Sequence, residues 1–170
     1  MKANLVIATL RIMYLRGSPE RILYSRQLMI VSLLLALVVS GCARYLYFGD
    51  HIPFATLWVF AKTTMFMLWM VLLTAKVARL RLATMMLSLV LISLVVDVGY
   101  VLLSPLPLGG LADSVAWIWG ASALYGIGSV VAWARRQSLL QGLTQGAGYL
   151  AVFMGLDLAF RHLYSIMAAG

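Results

Sequence analysis

The sequence is poor in the residues that carry most soluble chemistry. It has one cysteine, Cys42, two histidines and five acidic residues in 170 positions. A lone cysteine excludes an intramolecular disulfide framework and a cysteine zinc cluster. Charged residues of both signs make up only 11% of the chain, less than half of the roughly 25% usual in a soluble domain. No G-x-S-x-G, H-E-x-x-H, C-x-x-C or glycine-rich phosphate loop is present. Serine, histidine and aspartate occur, but no spacing joins them into a nucleophile with its base. No catalytic residue is therefore assigned, and the chain reads as non-enzymatic. The methionines cluster without histidine or cysteine partners, so neither a metal nor another cofactor is expected.

What is present is apolar. Hydrophobic residues form 64% of the chain and mean hydropathy is +0.99. Such a chain cannot cover itself with polar surface in water, so much of its exterior must face lipid. At about 20 residues per span, its length allows five or six transmembrane helices and no large extramembrane domain. The expected fold is all-α: a polytopic bundle of five spans forming one integral membrane domain. The spans are expected at about 27–48, 54–77, 82–103, 111–133 and 142–167. Residues 4–16, apolar but interrupted by Arg11, are too short to span and fit an amphipathic helix lying in the interface. Ser18, Pro19 and Glu20 read as a turn and helix start. Ser104–Gly110, with Pro105, Pro107 and paired glycines, breaks the chain between spans three and four.

The net charge of +8 would point to nucleic acid in a soluble protein; here the placement of the charges decides otherwise, and no nucleic-acid partner is expected. Lys2, Arg11, Arg16, Arg21 and Arg26 precede span one, Lys76, Arg79 and Arg81 follow span two, and Arg135 and Arg136 follow span four. These are ten of the thirteen basic residues. The opposite connections hold Asp50, His51 and Asp113 and no lysine or arginine. The positive-inside rule then places the N-terminus in the cytoplasm and the C-terminus outside. The expected location is a bacterial inner membrane.

Five charges remain inside the spans: Arg44, Lys62, Asp97, Asp157 and Arg161. Each costs roughly 2.5–3.5 kcal/mol at a helix centre on insertion scales. All fall about 5–15 Å below the outer interface, counted at the helical rise, and so suggest one layer. Two readings remain open. Lys62 can pair with Asp97 on the next span and Asp157 with Arg161 at i, i+4, while Arg44 reaches the headgroups. Alternatively the layer lines a polar pocket open to the outer leaflet, for an anionic headgroup, an ion or a partner's acidic side chain. Its net +1 leans towards an anion. A proton relay is disfavoured because nothing continues the layer inward.

Small residues recur on span five at Gly142, Gly146, Ala147, Ala151, Gly155 and Ala159, a pattern suited to close helix packing. Packing within the monomer is the plainer expectation, and assembly with itself or other membrane subunits the alternative. Val39-Ser40-Gly41-Cys42 matches a bacterial lipobox, but the preceding region is too long and the apolar run continues past it; Cys42 is expected to pack among helices. The five-span layout, with Gly17-Ser18-Pro19 before the first span, resembles that of Yip1-type membrane proteins. Gly99-Tyr100 is similar to their glycine–tyrosine dipeptide, whereas the Asp-Leu-Tyr-Gly-Pro motif of the eukaryotic members is absent. The resemblance implies membrane organisation or partner binding rather than catalysis, and assigns no functional residue. Two functions follow: an accessory or assembly subunit binding lipids and other membrane proteins, or a small transporter or lipid- or anion-binding protein.

Overall fold

A computed structural model describes residues 5–14, 19–22, 24–48, 52–74, 77, 79–103 and 111–169, with some helical side chains left out of the description. These residues form six α-helices and one short 3-10 turn, Pro19–Arg21. The helices are α1 Leu5–Met13, α2 Arg26–Phe48, α3 Ile52–Thr74, α4 Arg79–Leu103, α5 Leu111–Arg135 and α6 Leu139–Ala169. Three stretches are long and apolar enough to cross a membrane among the described residues: Arg26–Ala43, Arg81–Leu103 and Leu139–Ile166. They correspond to expected spans one, three and five. The other two expected spans fall on α3 and α5, which are helical over 23 and 25 residues but are not among these three.

Local chemistry accounts for the boundaries. Ser25 caps α2, its Oγ accepting the Leu28 amide at 3.0 Å; the helix start expected at Ser18, Pro19 and Glu20 falls on the short 3-10 turn Pro19–Arg21, with Ser18 itself outside the described residues. Pro53 sits in the first turn of α3, where its missing N–H costs nothing. The α5–α6 connection is the most fully specified. Arg136 adopts a φ of 54°, and the amides of Arg136 and Gln137 donate back to the carbonyls of Trp133 and Ala132. This is a Schellman ending. Ser138 and Gln141 then exchange side-chain-to-amide bonds at 3.2 and 3.3 Å, a capping box that opens α6. A left-handed arginine costs about 1–2 kcal/mol. Arg136→Gly is therefore expected to raise unfolding stability by about 1 kcal/mol, measurable as a higher thermal midpoint in detergent.

The bundle closes as a ring. α2 packs on α3 and α4, α3 on α6, α6 on α5 and α5 on α4, with α5–α6 the most extensive contact. Although sequential, α3 and α4 make little direct contact; α2 and α6 flank the gap between them. The α5–α6 seam depends on glycine. A Cβ on Gly142 would run into the carbonyl oxygen of Gly128, and one on Gly128 would lie 2.9 Å from the Leu143 backbone. Gly99 likewise leaves room for the Trp119 ring, whose N–H donates to Val96 O at 3.3 Å.

Helix α1 packs on the bundle through one face. Thr9, Ile12 and Met13 are buried against α4 and α5, while Val6 and Ile7 are exposed. Its apolar stripe is satisfied by protein on one side rather than by lipid alone, and Gly126 provides the space Met13 fills. Nearby, Arg81 donates to Trp133 O at 2.7 Å and lies 5.1 Å over its ring. The Trp133 N–H donates to Glu20 at 3.0 Å, which ties the Pro19–Arg21 turn to α5. Cys42 is exposed rather than packed among helices.

Candidate functional site

The side chains of Arg44, Asp157 and Arg161 lie outside the described residues, so their place in the layer is not described; Arg44 is carried by α2, the other two by α6. Lys62 and Asp97 are described, and they meet. Lys62 Nζ donates to Asp97 Oδ2 at 2.6 Å across the α3–α4 gap. A third residue joins them. Ser40 of α2 accepts from Lys62 Nζ at 2.9 Å and donates through its hydroxyl to the same Asp97 oxygen. Ser40, Lys62 and Asp97 are 5%, 9% and 6% exposed, so this is a buried, hydrogen-bonded ion pair. Counted from Phe48, Ile52 and Leu103, the cluster lies about 9–15 Å inside the helix ends.

An aromatic seam between α3 and α6 holds Lys62 in place. Phe54, Trp58, Lys62 and Phe66 recur every fourth residue and share one face of α3, opposite Tyr149, Phe153, Phe160 and Tyr164 on α6. Trp58 meets Phe153 edge-on with centroids 5.5 Å apart, and Phe54 meets Phe160 at 5.3 Å. The Lys62 ammonium lies 5.6 Å from the ring centroids of both Trp58 and Phe153. That distance is within cation–π range.

Two cavities flank the cluster. The larger, of about 140 Å³, lies among α3, α4, α5 and α6, with Asp97, Phe66, Trp69, Tyr100, Tyr149 and Phe153 on its walls. A smaller one of about 60 Å³ adjoins Ser40, Phe66, Ser93 and Tyr149. Lys62 lines both, Asp97 only the larger and Ser40 only the smaller. Lys62 and Trp69 are seven residues apart on α3, so the larger cavity extends about 10 Å along the bundle axis. Two polar atoms near it are unused. Both bonds to Asp97 converge on Oδ2, and Oδ1 accepts none among the described residues. The buried Trp69 N–H has no partner there either.

The small-residue pattern divides. Gly142 and Gly146 are buried against α5. Ala147, Ala151, Gly155 and Ala159 are exposed, and a Cβ on Gly155 would meet nothing within 4 Å. The stripe expected to pack inside the monomer therefore faces outward for most of its length. Sequence reasoning missed Ser40, which it met only as part of the lipobox pattern. It also missed the aromatic walls, although their four-residue spacing on α3 and α6 was there to be read. No protein-family model, no curated protein and no solved structure matches the chain, so the site's function rests on its own geometry and chemistry.

Proposed function

We propose that the chain is a non-enzymatic, five-span integral membrane protein that binds a small amphipathic molecule inside the bundle, in the manner of a transporter or carrier. One observation carries this: a buried ion pair forms one wall of an otherwise aromatic cavity. A pair needed only to hold helices together would be best served by close packing around it, since voids forfeit contacts. Here Asp97, whose Oδ1 accepts no bond among the described residues, lines empty volume together with aromatic side chains. A cavity of this size matches an engineered one of about 150 Å³ that admits benzene. Helices α3 and α5 serve as the remaining spans, at about 35 and 38 Å long against a hydrocarbon core of about 30 Å. The basic connections favour a cytoplasmic N-terminus.

Calorimetric titration of the detergent-purified protein with neopentyl alcohol and tetramethylammonium tests the reading. At least one is expected to bind saturably, and Ala123→Phe, which fills the cavity from α5, is expected to abolish binding in a folded protein. Unchanged binding in Ala123→Phe would place the ligand elsewhere. A second reading, an accessory subunit, is favoured by the outward Ala147, Ala151, Gly155 and Ala159 stripe, which leaves α6 open to close approach by another helix.

A further inference from the structure

Resting on the reading of the cavity as a binding site, we propose that its ligand is a phenol-type molecule, a single aromatic ring whose hydroxyl donates to Asp97 Oδ1. The two oxygens of Asp97 are used differently. Lys62 and Ser40 both donate to Oδ2, and Oδ1 accepts nothing among the described residues. The Asp97 side chain nonetheless keeps 9% of its surface open, and of the two cavities it lines the larger. A carboxylate oxygen left open inside a bundle calls for a donor, because a buried polar atom without a hydrogen bond is costly.

That requirement sorts the ligand classes. An ionised carboxylate brings only acceptors and has nothing to give Oδ1. A quaternary ammonium has no N–H, and any ion gives up far more hydration than a neutral hydroxyl on entering an apolar bundle. A hydroxyl supplies one donor, and its bond to a carboxylate is among the short, strong ones.

The rest of the wall selects the body of the ligand. Tyr149 is the centre of an aromatic set. Its ring centroid lies 5.5 Å from that of Trp69, 6.4 Å from Phe66 and 6.4 Å from Phe153, the last stacked at an interplanar angle of 21°. All four rings line the cavity, and another flat ring packs edge-on or offset against such a wall. The walls from α4 and α5 are aliphatic at Ile92 and Ile127, so the hydroxyl has its partner at Asp97. The volume of about 140 Å³ suits one six-membered ring, close to the engineered cavity of about 150 Å³ that admits benzene.

Titration calorimetry with phenol and with toluene, in which a methyl group replaces the hydroxyl, separates the donor from the ring. Both are titrated into the wild type and into Lys62→Met/Asp97→Leu in one detergent, so that partition into micelles cancels from the comparison. The wild type is expected to bind phenol saturably. The double variant is expected to lose phenol affinity at least tenfold relative to toluene, the size of one hydrogen bond to a charged acceptor. An unchanged ratio of the two affinities overturns the proposal, as does tetramethylammonium binding the wild type more tightly than phenol. In both cases the cavity remains a binding site. If none of the three molecules binds, the binding-site reading itself fails. Should the double variant not fold, the wild-type affinities decide once corrected for each probe's measured partition into empty micelles: phenol tighter by tenfold or more supports the proposal, and a smaller margin overturns it.

Discussion

Lys62→Met by itself is expected to destabilise the protein by about 3–5 kcal/mol, because it leaves Asp97 buried without a counter-charge. Asp97→Leu removes the ion-pair partner that Lys62 has on α4 and should also lower stability. The double variant Lys62→Met/Asp97→Leu is expected to recover most of the loss. Desolvating two charges consumes much of what their attraction returns, and apolar side chains of similar volume fill the same space. The resulting coupling energy in a double-mutant cycle should reach at least about 2 kcal/mol. Thermal unfolding in a mild detergent, followed by tryptophan emission, would show the single variants melting about 10 °C below the wild type. Losses below about 1 kcal/mol would mean that the pair is effectively solvated. The double variant also separates structure from function. If it folds like the wild type yet no longer binds ligand, the pair is kept for binding; retained binding would reduce the pair to a helix clasp. Ser40→Ala is a milder companion. It removes one of two bonds to Asp97 Oδ2 and should cost about 1–3 kcal/mol.

How much of this was legible beforehand depends on the kind of signal. Long apolar runs separated by Pro53, by the basic stretch near Arg79, by the prolines after Leu103 and by Arg135-Arg136 place the five long helices to within a few residues, because helix length and termination are local matters. Lys62 and Asp97 stood out because ionisable groups are rare in such helices. Ser40 did not, since hydroxyls are common in apolar helices and its role depends on how α2 is rotated. That rotation is not written in the sequence of a helix that is apolar all round, where no polar face tells inside from outside. The same ambiguity concealed the packing order. Nothing in the periodicity says that α4 lies against α2 and leaves a gap towards α3, and the cavity exists because of that gap. Helix α1 shows a related limit. Its apolar stripe at Ala8, Ile12 and Met13 suits lipid or protein equally, and only the space at Gly126 decides for protein. The aromatic row Phe54, Trp58 and Phe66 was readable as a stripe. Its partner on α6 was not, until the fold brought Tyr149 and Phe153 opposite.

Two glycines on one helix are expected to respond in opposite ways to the same substitution. On α6, Gly142→Ala drives a Cβ into the backbone oxygen of Gly128 and against Ala132. Backbone cannot swing aside as a flexible side chain does, so the helices must part. Overpacking of this sort costs about 1–3 kcal/mol or more, well beyond the roughly 1 kcal/mol that alanine gains over glycine in a helix. The loosened seam lies close to Gly146 and Tyr149, so cavity binding should weaken along with stability. Gly155→Ala meets nothing within 4 Å, and only the propensity gain remains; unfolding stability should rise by about 0.5–1 kcal/mol. Melting temperatures of the two variants in detergent test this contrast, and equal shifts would count against the packed α5–α6 seam. Gly155→Leu then addresses the accessory-subunit reading. The fold should be unaffected, since the position is open within the monomer. A partner helix seated on Ala151, Gly155 and Ala159 would be displaced by the added bulk, because such contacts depend on backbones approaching closely. Cross-linking in native membranes before and after the change distinguishes the cases: a lost adduct marks α6 as a subunit contact, and an unchanged pattern marks it as a surface for lipid.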